Sequence, residues 1–292
     1  MSERPICDYE GSNYQQVFWE EGGRTYEDAA EAAALERLLP KAGKRLLELG
    51  AGAGRNTPRY SGYEEIVLLD YSTTQLQQAR EKLSDNHNFR YVAADIYSLP
   101  FVDGLFDGAT MIRTLHHMAD APQAIQNVRD VLQHDACFIL EYANKRNLKS
   151  IFRFLLKKQD WNPFDKAPVE FATLNFNFHP KAIREWLYEA NFAIEKQLTV
   201  SHFRIDLLKK KFSTKFLTAL DRLLQPTGNL FQFSPSVFVK NRAIGHTKPA
   251  EEGSFFCCPK CKTPLKDTPP LLKCSKCTAE YPVENGIYNF KI

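Results

Sequence analysis

Three glycines and one aspartate are the first residues whose spacing indicates chemistry. Gly50, Gly52 and Gly54 stand at alternate positions directly after the apolar run Arg45–Leu49. Glycine at such a point lets the backbone turn tightly and approach a ligand closely. Asp70 ends a second apolar run, twenty residues after Gly50, where a carboxylate can accept hydrogen bonds from both hydroxyls of a ribose. A glycine turn alone also serves simple packing, but the whole combination predicts a nucleoside site.

The residues around the turn also bear on the kind of nucleoside. A dinucleotide site favours the spacing GxGxxG, whereas here the glycines follow GxGxG with Glu48 beside them. An acidic neighbour would repel a pyrophosphate and suits a cationic ligand. S-adenosylmethionine fits this requirement because it carries a sulfonium and an ammonium and has no phosphate. A GxxxxGK[ST] phosphate loop is missing from the sequence, which disfavours a nucleotide hydrolase.

Alternating strands and helices are predicted to position these residues. Apolar strands and helical segments alternate through residue 142, which predicts a parallel sheet covered on both faces. Two later strands, at 192–200 and 235–239, are expected to add an antiparallel hairpin. The fold class is therefore α/β, a Rossmann-like doubly wound, mainly parallel sheet. The predicted segments are helices 26–39, 72–83 and 122–132 and strands 45–49, 66–69, 89–94, 106–112 and 137–142, followed by helices 148–158, 180–190 and 205–224.

Five sequence motifs carry a resemblance to a known family. They read LELGAGAGR (47–55), VLLDYS (67–72), AADIYSLPF (93–101), FDGATMIRTLHHMAD (106–120) and CFILEY (137–142). Together they resemble the class I S-adenosylmethionine-dependent methyltransferases, especially the ubiquinone/menaquinone-biosynthesis-like branch. The resemblance covers about residues 24 to 240. It implies transfer of a methyl group from S-adenosylmethionine by in-line displacement.

The resemblance implies roles for the residues of the first two motifs. Glu48 would orient the methionine amino group, directly or through a water molecule. Gly50, Gly52 and Gly54 would line the methionine and the ribose. Asp70 would hold the ribose hydroxyls.

Further cofactor contacts are implied at four other positions. Tyr71 follows the ribose-binding aspartate and would join the cofactor site. Asp95 would accept a hydrogen bond from the exocyclic amine of adenine, with Ile96 against the ring. Arg113 would lie at the carboxyl edge of the sheet, where open α/β folds place their ligands.

His116 and His117 are the candidate catalytic residues. A sulfonium is already an activated methyl donor, so the protein needs a general base only for an oxygen or carbon acid. Both histidines follow the fourth predicted strand, where a base could sit, and one of them is expected to face the cleft. The Asn/Asp-Pro-Pro-aromatic tetrad of exocyclic amino methyltransferases is replaced by Arg113-Thr114-Leu115-His116. A simply hydrogen-bonded, structural histidine pair is the alternative.

Four cysteines near the carboxyl end predict a structural zinc site. Cys258 and Cys261 form one C-x2-C pair, and Cys274 and Cys277 form a second pair after twelve residues. Four thiolates suit tetrahedral zinc and leave no open position for catalysis. Cys257 could compete with Cys258, although packing is its simpler role. The following segment, 278–290, resembles the zinc ribbon of the small activator subunit that partners several tRNA, rRNA and protein methyltransferases.

Four regions follow from these observations. An N-terminal lid and helix are expected at 1–40, a Rossmann-like methyltransferase domain at 41–240, a linker at 241–256 and a zinc ribbon at 257–292. Tyr9, Tyr14 and Arg24 are the expected lid residues, by the family resemblance. Because the chain shows no run of about 18 apolar residues and no apolar leader segment, we expect a cytoplasmic protein without a membrane span.

The substrate is left open between two classes by the charge pattern. The net charge is +3, and residues 257–292 carry all of it, which leaves the rest of the chain neutral. A neutral total favours a small-molecule or lipophilic metabolite. Basic runs at 145–157 and 204–215, together with the ribbon lysines, would favour RNA or a ribosome-associated protein, unless they are solvated faces. A binding module without turnover is a third alternative, disfavoured by the intact glycine turn, Asp70 and Asp95. We favour the metabolite.

Overall fold

The computed structural model describes residues 6–7, 9–12, 17, 19, 21–83 and 88–291. Within them, one ten-stranded sheet holds the strands in the order β10-β11-β12-β3-β2-β1-β4-β5-β9-β8. The strands of this sheet are β1 (Gly43–Leu49), β2 (Tyr63–Asp70), β3 (Phe89–Ala93), β4 (Phe106–Met111), β5 (Leu132–Ala143), β8 (Phe192–Val200), β9 (Ser236–Ala243), β10 (Leu271–Lys273), β11 (Glu280–Glu284) and β12 (Ile287–Asn289).

The centre of the sheet is parallel, and its far side is antiparallel. Strands β3, β2, β1, β4 and β5 run parallel, and β9 runs antiparallel to both β5 and β8. Buried strand interiors, such as Ile66–Leu69 of β2, are apolar on both faces because helices cover both sides. The predicted Rossmann-like fold with its C-terminal antiparallel strands is therefore confirmed.

Seven α-helices pack around the sheet in the described part of the chain. Ser72 begins α2 as predicted, since its Oγ accepts a hydrogen bond from the Gln75 N–H at 3.2 Å. The helix predicted at 205–224 is divided at Phe212, because Ser213 caps a new helix by accepting from the Phe216 N–H. The helices are α1 (Thr25–Leu38), α2 (Thr73–Leu83), α3 (Ala121–Val131), α4 (Leu148–Leu155), α5 (Pro180–Glu189), α6 (Asp206–Lys211) and α7 (Thr214–Leu224).

The aromatic segment between α4 and α5 contains a small hairpin where the sequence predicts a loop. Its strands are β6 (Val169–Ala172) and β7 (Asn175–Asn177), which pair antiparallel. Leu174 forms the turn with a φ of 51°. Both strands are short and partly exposed, so they lack the buried apolar pattern that marks a strand in a sequence.

The cysteine-rich region extends the main sheet. Strand β12 pairs in parallel with β3, with Tyr288 opposite Val92. The segment 241–256, predicted as a linker, gives its first three residues to β9 and ends in a bridge between Phe101 and Phe256. The ribbon residues belong to the same hydrophobic core as the centre of the sheet. Among the described helices, none is both long and apolar enough to cross a lipid bilayer.

Candidate active site

A cavity opens where β1, β2 and β4 end, and the space among its lining residues, open solvent included, is about 950 Å³. Such an edge is where doubly wound sheets place ligands, because the loops that follow parallel strands meet there. The residues that line the cavity are Ile6, Cys7, Tyr9, Trp19, Gly50, Ala51, Gly52, Ala53, Arg55, Asn56, Leu69, Asp70, Tyr71, Gln75, Ala94, Asp95, Ile96, Ile112, Arg113, Thr114, His117 and Met118.

Position 50 of the turn requires glycine for two separate reasons. Its φ is +66°, in the left-handed region that L-residues avoid. A Cβ atom added there would lie 2.1 Å from Thr114 Oγ1. Thr114 in turn donates to the Leu49 carbonyl at 3.1 Å, so its side chain is fixed against the turn. The turn therefore brings bare backbone to the floor of the cavity.

Asp70 braces the turn and also faces the cavity. The Gly52 N–H donates to Asp70 Oδ2 at 2.8 Å, and the Ser72 N–H donates to Asp70 Oδ1 at 2.9 Å. The carboxylate is thereby fixed between the glycine turn and the start of α2. Asp95 has a similar position after β3, where its Oδ1 accepts from the Tyr97 N–H at 2.9 Å. Both predicted carboxylates thus line one cavity on neighbouring strands.

Glu48 lies outside the lining residues. Its side chain is buried and accepts a hydrogen bond from Thr57 Oγ1 at 2.6 Å. Burial raises the pKa of Glu48 to about 8, although Thr57 and the nearby Arg55 and Arg59 lower it in part. Gly54 is also outside the lining, because it faces α2, where an added Cβ would lie 2.8 Å from Leu83 Cδ1.

The N-terminal segment covers part of the cavity. Ile6, Cys7, Tyr9 and Trp19 belong to the lining, and Glu10 fastens the segment to the start of α2. The backbone N–H groups of Thr73 and Thr74 donate to Glu10 at 3.0 and 2.9 Å. Burial raises the pKa of Glu10, but hydrogen bonds from the hydroxyls of Thr74 and Thr73, together with those from their N–H groups, outweigh it and lower the pKa to about 2.

The predicted lid residues fall in three different places. Tyr9 lines the cavity, and Arg24 is the residue before α1 and is not part of the lining. Tyr14 lies outside the described residues.

Trp19 links the N-terminal segment to a buried charge cluster. The Arg55 guanidinium lies 3.6 Å from the centre of the Trp19 ring, and that of Arg113 lies 5.4 Å from it. Both arginines pair with Glu31, whose carboxylate accepts from Arg113 Nε at 2.7 Å and from Arg55 at 2.8 Å. Burial opposes the charge of Glu31, but Arg113 and Arg55 outweigh it and lower its pKa. The cluster therefore fixes Arg113 at the cavity wall as an ion-paired residue.

His117 is the cavity-facing member of the histidine pair. Its Nδ1 lies 2.9 Å from the Leu174 carbonyl, which can only accept, so Nδ1 carries the proton. The Nε2 atom is then free to accept from the Tyr9 hydroxyl at 3.2 Å. Burial lowers the pKa of His117, which keeps the ring neutral near pH 7. The geometry presents a neutral imidazole nitrogen that accepts a hydrogen bond from the Tyr9 hydroxyl.

His116 lies in a positively charged environment beside the cavity. Burial is the main cause of its lowered pKa, and His117, Arg113 and Arg204 add to it. Burial likewise lowers the pKa of Arg204 to about 10, with Arg113 and Arg24 contributing. The Arg204 guanidinium approaches Glu27 only to 3.8 Å. This side of the site therefore favours negative charge.

The four predicted cysteine ligands converge on one point. Their sulfur atoms all lie within 4.8 Å of one another. The Cys258 and Cys277 sulfurs are 3.5 Å apart, as are those of Cys261 and Cys274. A tetrahedral zinc with Zn–S bonds of about 2.3 Å requires sulfurs about 3.8 Å apart, so the cluster suits this ion. Cys257 is separate, because its thiol donates to the Phe101 carbonyl.

Residues 47–140 match a family model described as a methyltransferase domain. The chain contains a methyltransferase domain. A curated relative is the ubiquinone/menaquinone biosynthesis C-methyltransferase UbiE of Vibrio parahaemolyticus, 34% identical over 43% of this chain and 50% of its own length. Another is the 27-O-demethylrifamycin SV methyltransferase of Amycolatopsis mediterranei, 29% identical over 42% of this chain and 48% of its own length. The chain thus spans about half the length of the curated relatives it matches.

The solved structures support the fold of this methyltransferase domain. A chain from the Haloferax volcanii complex between the Trm112 methyltransferase activator and a methyltransferase superposes with a TM-score of 0.58 at 14% identity. The match covers 82% of this chain and 99% of that one. At this identity the likeness concerns the fold alone.

Most of the predicted site residues meet in the methyltransferase-domain cavity. Glu48, Gly54 and His116 are not part of its lining. The sequence did not identify Trp19 as a site residue, because its ring contacts Arg55 and Arg113 only in the folded chain. Thr114 was also not identified, although it lies in a recognised motif. The predicted residues that line the cavity are Gly50, Gly52, Asp70, Tyr71, Asp95, Ile96, Arg113 and His117.

Proposed function

We propose that the protein is an S-adenosylmethionine-dependent methyltransferase that acts on a small-molecule or lipophilic metabolite. The observation that carries the proposal is the cavity in which a bare glycine turn and two carboxylates, Asp70 and Asp95, stand on successive strands. The methyltransferase-domain match covers the same residues. The relatives named as O- and C-methyltransferases support a small-molecule substrate.

The residues of the cavity suit the parts of S-adenosylmethionine. Asp70 would hold the ribose hydroxyls, and Tyr71 lies next to it. Asp95 would accept from the adenine amine while Ile96 packs on the ring. Gly50 and Gly52 line the cavity, and the methionine part would lie against their backbone.

Glu48 would act from behind the turn through bound water, since it is not in the lining. The bound cofactor supplies a methyl group already activated by the sulfonium.

The protein's own contribution is to hold the acceptor and take its proton. His117 Nε2 now accepts from the Tyr9 hydroxyl, so a substrate hydroxyl or acidic C–H in that position would find a neutral base. The positive charges of Arg113 and Arg204 near His116 would stabilise the resulting anion. The N-terminal segment would exclude water from the reacting atoms.

The four-cysteine cluster is proposed to hold one structural zinc ion. The residues are all thiols, which leaves no position for substrate. The ribbon would brace the catalytic domain by extending its sheet beside β3. Its last described residue, Lys291, reaches both Glu10 at 3.3 Å and the Tyr71 ring at 5.3 Å. An activating subunit would thus be fused to its own enzyme.

A second candidate is methyl transfer to RNA or to a translation-related protein. It is favoured by the fold neighbour that comes from a complex with a methyltransferase activator. Against it, the ribbon strands and β8 form opposite ends of the sheet, so the ribbon lysines and the basic runs at 145–157 and 204–215 do not form one continuous surface. Three of the six ribbon lysines, Lys262, Lys273 and Lys291, are also engaged within the protein.

Two measurements test the proposal. Calorimetry with S-adenosylmethionine and with its thioether product should show binding, and an Asp70→Ala variant should lose it. Absence of heat on folded protein would refute the cofactor assignment. A tritiated methyl-transfer assay on fractionated lysate should then label the small-molecule fraction. Label confined to RNA or protein would establish the second candidate instead.

A further inference from the structure

The outer face of α4 is apolar and exposed, which is the reverse of an ordinary surface helix. Leu148, Phe152, Leu155 and Leu156 are 51, 59, 65 and 62% exposed. Their spacing of i, i+4, i+7 and i+8 places them on one helical face. The inner face contributes the buried Ser150 and partly buried residues. A folded chain gains nothing from this arrangement unless something else covers the face.

Two other segments add exposed apolar side chains at the same edge of the sheet. Leu230 and Phe231 are 81 and 46% exposed, and Phe231 stacks on Phe233, whose carbonyl accepts from the Leu148 N–H. Ile205, Leu207, Phe212 and Phe216, after β8, are 38 to 72% exposed. We call α4 with residues 205–216 and 230–231 the edge surface.

The edge surface lies on the side of the sheet where the cavity opens. Ala143 at the end of β5 and Val200 at the end of β8 both pair with Ser236 at the start of β9. The ends of β5 and β8 are therefore level with each other, and β5 runs parallel to β4, with Met111 at the end of β4 opposite Leu140 of β5. The segments that follow these ends, and the one that precedes β9, project from the edge that carries the active site.

Basic residues flank the apolar face of α4. Lys149, Arg153, Lys157 and Lys158 are exposed, and in the described part of the chain none of them forms an ion pair. No acidic residue occurs from 144 to 159. Lys210, Lys211 and Lys215 repeat the pattern beside the apolar residues of 205–216. Lys209 pairs with Glu27 and with the exposed Asp206, so the unneutralised positive charge of the edge surface lies mainly beside the apolar face of α4.

We propose that the edge surface binds the headgroup region of an anionic lipid bilayer. Leu and Phe side chains inserted at the headgroup boundary, with Lys and Arg beside them, are the chemistry of an interfacial amphipathic helix. The long basic side chains can keep their charges at the lipid phosphates while their stems pack beside the apolar groups. Three of the four apolar residues on the α4 face are leucines, which give an RNA no ring on which to stack its bases. Binding would place the mouth of the cavity at the membrane surface, within reach of a lipophilic substrate.

Vesicle flotation of the full chain tests this without any methyl transfer. Wild-type protein should float with vesicles that contain phosphatidylglycerol and far less with pure phosphatidylcholine. Phe152→Glu/Leu155→Glu should lower the partition coefficient about tenfold or more, and so should Lys149→Glu/Arg153→Glu. Leu271→Glu is the matched control, because Leu271 is an exposed leucine, 40% accessible, on β10 at the opposite end of the sheet. The control should bind like wild type.

Several outcomes would overturn the proposal. The proposal is wrong if wild-type protein binds neither vesicle type or binds both equally. A concentration-dependent dimer in sedimentation that Phe152→Glu/Leu155→Glu abolishes would show that a second copy covers the face. Binding of a mixed-sequence RNA that Lys149→Glu/Arg153→Glu abolishes, without vesicle binding, would assign the charge to RNA. If the apolar variant does not fold, the charge variant carries the test, because both of its positions are exposed.

Discussion

Glu48 is a carboxyl group whose protonation is set by burial behind the glycine turn. Its pKa is raised from 4.5 to about 8, so the unfolded chain loses this proton at lower pH than the folded protein does. Linkage then lowers the free energy of unfolding as pH rises from about 4.5 to about 8, by up to about 1.4 kcal/mol per pH unit, with no change outside that window. Glu48→Gln removes the titration and retains an acceptor for Thr57. Urea unfolding at pH 5, 6.5 and 8 should show wild type losing stability relative to the variant, and a constant difference would contradict this.

Substitution of His117 is the most direct test of the proposed proton transfer. With an accepted substrate, His117→Ala should lower kcat about 100-fold, the usual contribution of a general base. Tyr9→Phe is the control, because it retains the ring above the cavity and removes only the hydroxyl bonded to His117; its kcat should change little.

The lowered pKa of His117 gives a second readout for the same residue. The base is active when neutral, so the wild-type rate should be level above about pH 6.5 and fall only at lower pH. If His116→Ala and His117→Ala each retain wild-type turnover, neither histidine is catalytic.

The turn between β1 and the following loop is specified by contacts as well as by backbone conformation. Gly50→Ala should destabilise the protein by about 2–4 kcal/mol, because it adds left-handed strain to a collision with Thr114. Gly253→Ala shares the positive φ, +81°, but meets no atom within 4 Å, so about 1–2 kcal/mol is expected. Chemical denaturation gives the free energy of unfolding of both variants, and the difference between their losses measures the steric collision apart from the backbone strain. Thr114→Ala should partly rescue Gly50→Ala, and equal losses in the two glycine variants would refute the steric argument.

At the scale of elements, local sequence patterns predicted the parallel centre of the sheet. They did not predict contacts between residues that are far apart in the sequence. The runs ending at Leu49 and Asp70 are mostly apolar, so their burial between helices could be inferred. The hairpin at 169–177 is short and exposed, and nothing in its residues separates it from a loop. Trp19 joins the site only because the chain folds back onto Arg55 and Arg113. The site residues that could be foreseen are those in motifs after strands.

For the molecule as a whole, the decisive feature is that the ribbon and the catalytic domain share one core. Phe256 of the bridge stacks on Phe101 and contacts Phe290, which in turn packs on Tyr281. About 200 residues separate β3 from β12 along the chain, so their pairing could not be read locally. Because Lys291 then reaches Glu10 and Tyr71, the ribbon contacts both the N-terminal segment and the wall of the candidate cavity.

Removal of the proposed zinc ion should therefore act on stability more than on cofactor affinity. Without the metal, a ribbon this short cannot maintain its fold, so the aromatic core that it shares with the catalytic domain becomes exposed to solvent. We expect the free energy of unfolding to fall by more than about 3 kcal/mol. The contacts of Lys291 are partly exposed, so their loss should weaken binding of the thioether product by no more than about fivefold.

Cys258→Ser and Cys274→Ser should reproduce the effect of a chelator, whereas Cys257→Ser should not, because a serine hydroxyl can still donate to the Phe101 carbonyl. Zinc release should be one ion per chain, with thermal unfolding and calorimetry measured in parallel. A chelated protein that melts at the wild-type temperature would show that the ribbon folds without metal.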